Sequence, residues 1–380
     1  MRTQQFHWNS GRGWNKDPEQ QEKIAAQLVF VFGSRGVLRN DFRLEQIQKW
    51  YPGAYICGCS TAGEICGTEV SDDSLVVTAL EFSKSRVQGA KYKVSGPEQS
   101  FDAGKALAQE LQEKDLTHVI VLSEGLHVNG TELVNGFRTV LPAGVTVTGG
   151  LSGDGANFQE TVVVADERAE CDTIAAIGVY GDKLRVSYAS LGGWDRFGPE
   201  RLVTRSEGNV LYELEGKSAL ELYKSYLGEH AEGLPATGLL FPLCVRTDKE
   251  RDGVVRTILS VDEEAQSITF AGDIPQGSYA QFMMANFDRL IDGAGGAAKN
   301  ALIGKDDFHP EFALLVSCVG RKMVLQQRVE EEVEGVQEVL GDQAVLTGFY
   351  SYGEISPFTP DAVCELHNQT MTITAFQEVE

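Results

Sequence analysis

The sequence has no long apolar run and comparatively few basic residues. No segment approaches the ~20 consecutive apolar residues that a membrane-spanning helix needs, and residues 1–23 lack the apolar core of a secretory signal. The chain carries 33 Lys and Arg against 55 Asp and Glu, a formal net charge of -22. Such a charge repels nucleic-acid backbones and anionic lipid surfaces. We therefore expect a cytoplasmic protein whose partners are neither nucleic acids nor membranes.

Several motifs that define enzyme and metal sites are also missing. The sequence has no G-x-S-x-G nucleophile elbow, no H-E-x-x-H helix, no C-x-x-C pair and no C-x-x-C-H haem attachment site. We therefore predict that the chain is not an enzyme. An enzyme with Cys318 or Cys59 as its nucleophile is the alternative.

The cysteines leave one metal hypothesis open. Cys57, Cys59 and Cys66 form a C-x-C pair followed by a third thiol, which could hold an iron–sulfur cluster if Cys318 or Cys364 folded beside them. Because side chains alternate along a strand, Cys57 and Cys59 share one face, which favours apolar packing instead.

Strand, helix, strand and glycine-rich turn follow one another in three places. These units run from QLVFVFGS to AYICGCSTAGEI, from THVIVLSEGLHVNG to GVTVTGGLSGDG, and from FALLVSCVG to AVLTGFYSYGEISP. Strand-rich stretches lie between them. The pattern predicts an α/β fold, with α+β character and mixed sheets, in two domains over residues 1–200 and 201–380. Both domains are expected to contain repeated β-loop-α-β-turn units.

The first and last turns both read G-x-x-x-x-G-E-I. Ligands bind beyond the carboxyl ends of strands in open α/β sheets, and glycine lets them approach the backbone closely. We therefore predict a ligand site at these two turns, and that the turns occupy equivalent positions. In the alternative, both glutamates cap the turns and the hydroxyls bind local backbone. Gly58, Gly63 and Glu64 lie 290 residues before Gly348, Gly353 and Glu354. The candidate ligand-binding residues are Gly58, Ser60, Thr61, Gly63, Glu64, Tyr350, Ser351, Tyr352 and Glu354.

Histidine supplies the candidate ligands for haem iron. His367 lies 13 residues beyond Glu354, so we take it as the candidate axial ligand of a b-type haem. A structural role in the last strand is the alternative. The other histidines are His7, His118, His127, His230 and His309.

Two further segments have structural interpretations. The acidic run Glu330, Glu331, Glu332 and Glu334 is typical of the solvated face of a helix. The G-A-G-G-A-A patch at residues 293–298 lies within a helical pattern, so it indicates close helix packing rather than dinucleotide binding.

Four motifs together, GCSTAGEI, GLSGDG, FAGDIPQGS and GFYSYGEISP, resemble the FIST sensory domain over nearly the whole chain. The resemblance implies a FIST N-terminal domain to residue 200, a FIST C-terminal domain after it, and a signal-input function. SCVGRKMVLQQRVEEEVEGV and GFYSYGEISPF are most similar to the NosP branch, whose members bind haem and respond to nitric oxide.

The resemblance also implies cofactors and partners. It implies haem b; the iron–sulfur cluster suggested by the cysteine spacing, or no cofactor, is the alternative. It implies a histidine kinase of two-component signalling or a cyclic-di-GMP enzyme as the output partner, and leaves a homodimer open. A FIST sensor of a small organic ligand, such as an amino acid, is the alternative function.

Overall fold

The computed structural model describes residues 1–166, 168–234, 236–247, 253–305, 307–359 and 362–379. Four sheets of mixed or antiparallel strands, with helices packed against them, confirm the predicted mixed α/β fold. In the described part of the chain, no helix is long and apolar enough to span a membrane.

The strands up to residue 191 are β1 (Arg2–Asn9), β2 (Gly13–Trp14), β3 (Leu28–Gly33), β4 (Tyr55–Ser60), β5 (Glu64–Cys66), β6 (Glu69–Ser71), β7 (Ser74–Glu81), β8 (Arg86–Lys93), β9 (Leu116–Ser123), β10 (Thr146–Leu151), β11 (Val163–Ala165), β12 (Ala169–Glu170), β13 (Thr173–Tyr180) and β14 (Leu184–Leu191). The later strands are β15 (Asp195–Glu207), β16 (Val210–Leu214), β17 (Lys217–Ser218), β18 (Leu243–Arg246), β19 (Val254–Arg256), β20 (Ile258–Asp262), β21 (Ser267–Phe270), β22 (Tyr279–Met284), β23 (Phe312–Cys318), β24 (Val345–Ser351), β25 (Gly353–Ser356), β26 (Glu365–His367) and β27 (Met371–Glu378). The α-helices are α1 (Arg35–Leu38), α2 (Asp41–Trp50), α3 (Ser100–Leu111), α4 (Gly130–Arg138), α5 (Ala219–Leu227), α6 (Phe287–Leu302), α7 (Val319–Leu325) and α8 (Val329–Leu340).

Three of the sheets repeat one arrangement. Each has a central pair of parallel strands. An antiparallel strand pairs with the parallel strand that comes earlier in the chain, and a further strand pairs antiparallel with that one on its other side. In the order just given, these strands are β4, β3, β7 and β1 in sheet 1, β10, β9, β13 and β8 in sheet 2, and β24, β23, β27 and β14 in sheet 3. The three predicted units therefore form the centres of three related sheets.

The strand that follows each turn leaves its own sheet and joins another. Strand β5 follows β4 but pairs with β24, β25 follows β24 but pairs with β10, and β11 follows β10 but pairs with β4. This cyclic exchange interlocks the three sheets into one body. Equivalent backbone bonds accompany it: the N–H groups of Ala62, Gly153 and Tyr352 donate to the carbonyls of Tyr350, Ser60 and Leu151 at 2.8, 2.8 and 3.1 Å.

In each of the three parallel pairs, the second strand has a glycine at the same position. A Cβ there would overlap the carbonyl oxygen of the neighbouring strand, far inside van der Waals contact. Only glycine allows this close approach of two backbones. The glycines are Gly58, Gly149 and Gly348, and the facing carbonyls belong to Val31, Val121 and Leu315.

The fourth sheet is inserted between β14 and α6. Its strands follow the order β19-β18-β22-β15-β16-β21-β20, with β17 beside β16, and α5 packs on it. Sheets 2 and 3 both contain strands from each side of residue 200. The division into two domains at residue 200 stays a prediction. Sheets 2 and 3 extend over both of the predicted domains.

The glycine/alanine patch of α6 packs closely, as predicted. A Cβ at Gly293 would lie 2.5 Å from the carbonyl oxygen of Gly192, and the side chains of Ala294, Ala297 and Ala298 are fully buried. The helix therefore lies against the chain as it leaves sheet 3 for the fourth sheet.

Candidate functional site

The two G-E-I turns have equivalent hydrogen bonds. Glu64 is buried and accepts the hydroxyl of Thr61, and it also accepts the backbone N–H and hydroxyl of Ser74 at 3.1 and 2.6 Å. The Thr61 bond lies within the turn, and the two Ser74 bonds link the turn to the start of β7. This geometry matches the alternative in which the glutamates cap the turns.

Glu354 repeats this arrangement in the last turn. It accepts the Ser351 hydroxyl at 2.6 Å and the backbone N–H and hydroxyl of Thr370 at 3.1 and 3.0 Å. Burial raises the pKa of Glu64 to about 7 and that of Glu354 to about 8, although the donors oppose the shift. Both carboxyls therefore titrate close to neutral pH.

Three of the predicted residues are packed into the body. Gly58 lies against β3, and the Ser60 Oγ accepts the backbone N–H of Val162 at 2.9 Å. The Tyr350 hydroxyl donates to Glu332 at 2.7 Å. None of these three residues lines any of four cavities found in the described part of the chain. Their geometry fits structural roles.

Thr61, Gly63 and Glu64 face a polar pocket of about 350 Å³. Arg35 reaches into this pocket, with its guanidinium 3.6 Å from the carboxylate of Asp154. The other lining residues are Ser34, Gly36, Asp72, Asp73, Gly155 and Asn157. The pocket is therefore polar and mainly acidic.

Tyr352 faces a different and larger space, which we call the junction cavity. It has a volume of about 570 Å³ and lies between the fourth sheet and the three-sheet body. No charged side chain lines it, as far as the structure describes the chain. Its wall consists of Gly125, Leu126, Val128, Leu151, Ala156, Phe158, Asn209, Gly233, Leu234, Leu239, Thr257, Ile258, Leu259, Phe270, Ala271, Cys318, Val319, Met323 and Tyr352.

Exposed apolar side chains accompany this cavity. Phe158, Leu259 and Met323 are 41%, 44% and 38% exposed, whereas Leu151 and Phe270 are buried. The Phe158 ring stacks on the Tyr352 ring with centroids 4.4 Å apart. Exposed apolar surface next to an apolar cavity is typical of a ligand-binding groove.

The FAGDIPQGS segment helps to build the junction. Phe270 and Ala271 line the cavity, and a Cβ at Gly272 would lie 2.8 Å from the guanidinium Nε of Arg256. Arg256 is buried and donates to the carbonyls of Asp273 and Leu366 at 3.3 and 3.0 Å. The motif therefore makes room for an arginine that joins the fourth sheet to β26.

His367 does not have the surroundings of a haem ligand. Its ring is fully buried, its Nε2 lies 2.7 Å from the carbonyl oxygen of Ser356, and Phe358 packs on it with centroids 4.1 Å apart. Burial lowers its pKa to about 4, so the ring is neutral. Its Nδ1 has no hydrogen-bond partner in the described structure, but His367 lines none of the four cavities found there and its ring is covered by Phe358, so these surroundings do not fit haem.

The cysteines do not gather either. Within the described ranges, the one cluster with metal-ligand spacing is Glu124, His127 and Asp172, which contains no thiol. His127 Nδ1 lies 3.6 Å from Glu124 and 3.8 Å from Asp172. The iron–sulfur alternative thus has no set of ligands in the described structure.

Sequence reasoning missed a buried ion pair beside the junction cavity. Arg321 on α7 donates to Glu332 at 2.7 Å, to the Leu290 carbonyl at 2.7 Å and to the Gly192 carbonyl, and both ionic side chains are fully buried. The prediction that Glu332 lies on a solvated helix face is wrong, because its carboxylate also accepts the hydroxyls of Ser317 and Tyr350. A run of glutamates in the sequence does not indicate which of them faces the core.

Comparisons with known proteins bear on this architecture. A match to the FIST N domain covers residues 27–217, and a match to the FIST C domain covers residues 219–357. The chain belongs to the FIST family. FIST domains are sensor domains of signal transduction, so the predicted sensory class is confirmed.

Two further matches add little about the ligand. The FIST chain is 22% identical to the uncharacterized protein MJ1623 of Methanocaldococcus jannaschii, over 87% of this chain and 70% of the relative. A solved structure of PurLQS from Thermotoga maritima aligns with 9% identity over 94% of this chain and 66% of that chain, slightly less than two thirds of it. The TM-score of this alignment is 0.17, so it does not indicate a shared fold or function.

Proposed function

We propose that this FIST protein senses a small organic molecule that binds in the junction cavity, and that it is not an enzyme. The observation that carries the proposal is the apolar cavity of about 570 Å³ between the fourth sheet and the three-sheet body. Small-molecule sites in proteins have volumes of roughly 300–1,000 Å³ and often lie at domain interfaces.

The two candidate cysteine nucleophiles have unsuitable surroundings. Burial raises the pKa of the Cys318 thiol and that of the Cys59 thiol well above the ordinary value. Because the thiolate is the nucleophile, a neutral buried thiol is inert. Cys318 therefore serves the cavity as a small apolar wall residue.

Ligand binding can shift the relative position of the two parts. Val319 and Met323 of α7 line the cavity on one side, and Phe270 and Ala271 of the fourth-sheet segment line it on the other. A ligand that contacts both sides more closely in one arrangement stabilises that arrangement. Arg321 on the same helix donates to the carbonyls of Gly192 and Leu290, which lie just before and just after the segment that forms the fourth sheet. Movement of α7 therefore also moves these two points of the chain.

The output in this proposal is contact with a cytoplasmic signalling protein, a histidine kinase or a cyclic-di-GMP enzyme. It is supported by the sensory class of the FIST domains. Kinase and cyclic-dinucleotide assays with the products of neighbouring genes test it, and activities that do not change on adding the protein with and without ligand count against it.

Haem-based sensing of nitric oxide, as in the NosP branch, is the second candidate. It is supported by the sequence resemblance, and the burial of His367 argues against it. An intense Soret band with one equivalent of hemin, shifted by nitric oxide, would favour the haem sensor over an organic-ligand sensor.

Binding of the uncharged apolar dye Nile red tests the cavity. We expect a saturable rise in fluorescence with the parent protein, and loss of at least about tenfold in affinity for Ala271→Trp, because an indole at this wall position would take up space that the dye needs. Ala169→Trp on an edge strand of sheet 1 is the matched control and should bind as the parent does. Equal binding by the Ala271→Trp variant would place the dye elsewhere and contradict the proposal.

A further inference from the structure

We propose that the ligand of the junction cavity is uncharged and largely apolar, with a hydrogen-bonding group that binds the hydroxyl of Thr257. This inference rests on the proposed function and names the class of ligand. It excludes free amino acids and nucleotides, which carry charges at neutral pH.

The wall has no counter-charge for an ionised ligand. Two charged groups next to wall residues are engaged within the protein: Arg256 donates to the carbonyls of Asp273 and Leu366, and Asp154 accepts the Tyr352 hydroxyl and the backbone N–H of Phe158. An ionised group that enters an apolar cavity loses its hydration without replacement, which is strongly unfavourable. The cavity therefore selects against charge.

Thr257 lines the cavity and carries a buried hydroxyl without a hydrogen-bond partner in the described structure. Thr257 as a residue is only 7% exposed, so its hydroxyl has little access to bulk water. Its backbone is fixed, since its carbonyl accepts the N–H of Ala271 at 2.9 Å. A buried hydroxyl without a partner costs free energy that a ligand group can recover.

Two other polar side chains of the wall donate hydrogen bonds within the protein. The Asn209 amide donates to the Phe270 carbonyl at 2.7 Å, and the Tyr352 hydroxyl donates to Asp154. These bonds leave the Tyr352 ring as an apolar face. Thr257 is thus the polar group best placed to orient a ligand.

Phe158 adds an aromatic cover at the exposed side of the cavity. Its backbone has a φ of 52°, an uncommon conformation for a bulky residue, and Asp154 holds it by accepting the Phe158 N–H at 2.9 Å. The conformation stacks an exposed ring on Tyr352. A ligand with a flat apolar ring matches this surface.

Calorimetric titration at pH 7 with naphthalene, 2-naphthol and 2-naphthoate tests the inference. These probes share one ring system and differ in the polar group and its charge. We expect 2-naphthol to bind at least about tenfold more tightly than the anionic 2-naphthoate. Thr257→Val should weaken 2-naphthol about fivefold, the effect of one hydrogen bond, and should leave naphthalene unchanged. Thr269→Val, on strand β21 and outside the cavity wall, is the matched control and should change neither affinity.

The possible results separate this inference from the proposed function. Equal affinity for 2-naphthoate and 2-naphthol, or an equal loss of 2-naphthol and naphthalene in Thr257→Val, would overturn the inference alone. Binding of Nile red without binding of either uncharged naphthalene probe would do the same. Unchanged binding of all probes to Ala271→Trp would show that they do not bind in the junction cavity, which would refute both proposals.

Discussion

Replacing Arg321 with methionine tests whether the buried ion pair anchors α7. Arg321 is fully buried and hydrogen-bonds to Glu332, to the Leu290 carbonyl and to the Gly192 carbonyl. Methionine has a comparable length and no charge, so it preserves packing while it removes all of these bonds. Glu332 then remains in the core with only hydroxyl donors.

The expected loss of unfolding free energy is about 3–5 kcal/mol, because removing one partner leaves an uncompensated buried charge. The Gly192 and Leu290 carbonyls also lose donors, at about 1 kcal/mol each, which places the total at the upper end. The double variant Arg321→Met, Glu332→Leu removes both charges and should recover most of the loss.

Guanidinium denaturation followed by circular dichroism measures these changes. Lys93→Met is the control, because Lys93 pairs with Glu170 at 3.2 Å on the exposed surface, where an ion pair contributes about 0–1 kcal/mol. A loss below about 1 kcal/mol for Arg321→Met, equal to the control, would refute the reasoning that this pair anchors the helix.

Three further predictions concern the glycine positions, the buried glutamates and the histidine. Gly348→Ala should lower the melting temperature strongly or prevent folding, because its Cβ would overlap the Leu315 carbonyl oxygen, whereas Gly36→Ala has open space and should be tolerated. The pKa of Glu354 is raised from 4.5 to about 8, so its contribution to stability is fully present below about pH 4.5 and is lost as pH rises towards 8. The parent should therefore lose melting temperature over that range relative to Glu354→Gln, and parallel pH profiles would show the carboxyl to be ionised throughout. His367→Ala should leave any hemin spectrum unchanged, and a shifted Soret band would instead restore that residue as a ligand.

Local pattern was enough to predict the repeated units and the family. Apolar runs of five or six residues between glycine turns indicate buried strands. In both G-E-I turns the carboxylate accepts a backbone N–H and a hydroxyl from one residue at the start of a later strand, β7 or β27. The glycine/alanine patch could be interpreted for the same reason. Its small side chains allow close packing whatever the partner is.

The candidate ligand site was only partly predictable. Tyr352 lines the junction cavity, whereas Ser60 and Tyr350 lie inside the body. Strand alternation predicts which side chains share a face, but it does not tell which face meets another sheet. His367 was chosen by its nearness in sequence to Glu354, and its burial under Phe358 depends on packing that sequence distance does not report.

By itself the sequence determined the three repeated units, their glycine-rich turns and the FIST family, because these follow from local sterics and from short motifs. Only the tertiary structure decided that β5, β11 and β25 exchange between sheets, that Glu332 faces Arg321 and that a cavity lies at the junction. These features join residues far apart in the chain, and the free energy of burying them together depends on the whole assembled core rather than on any segment of it.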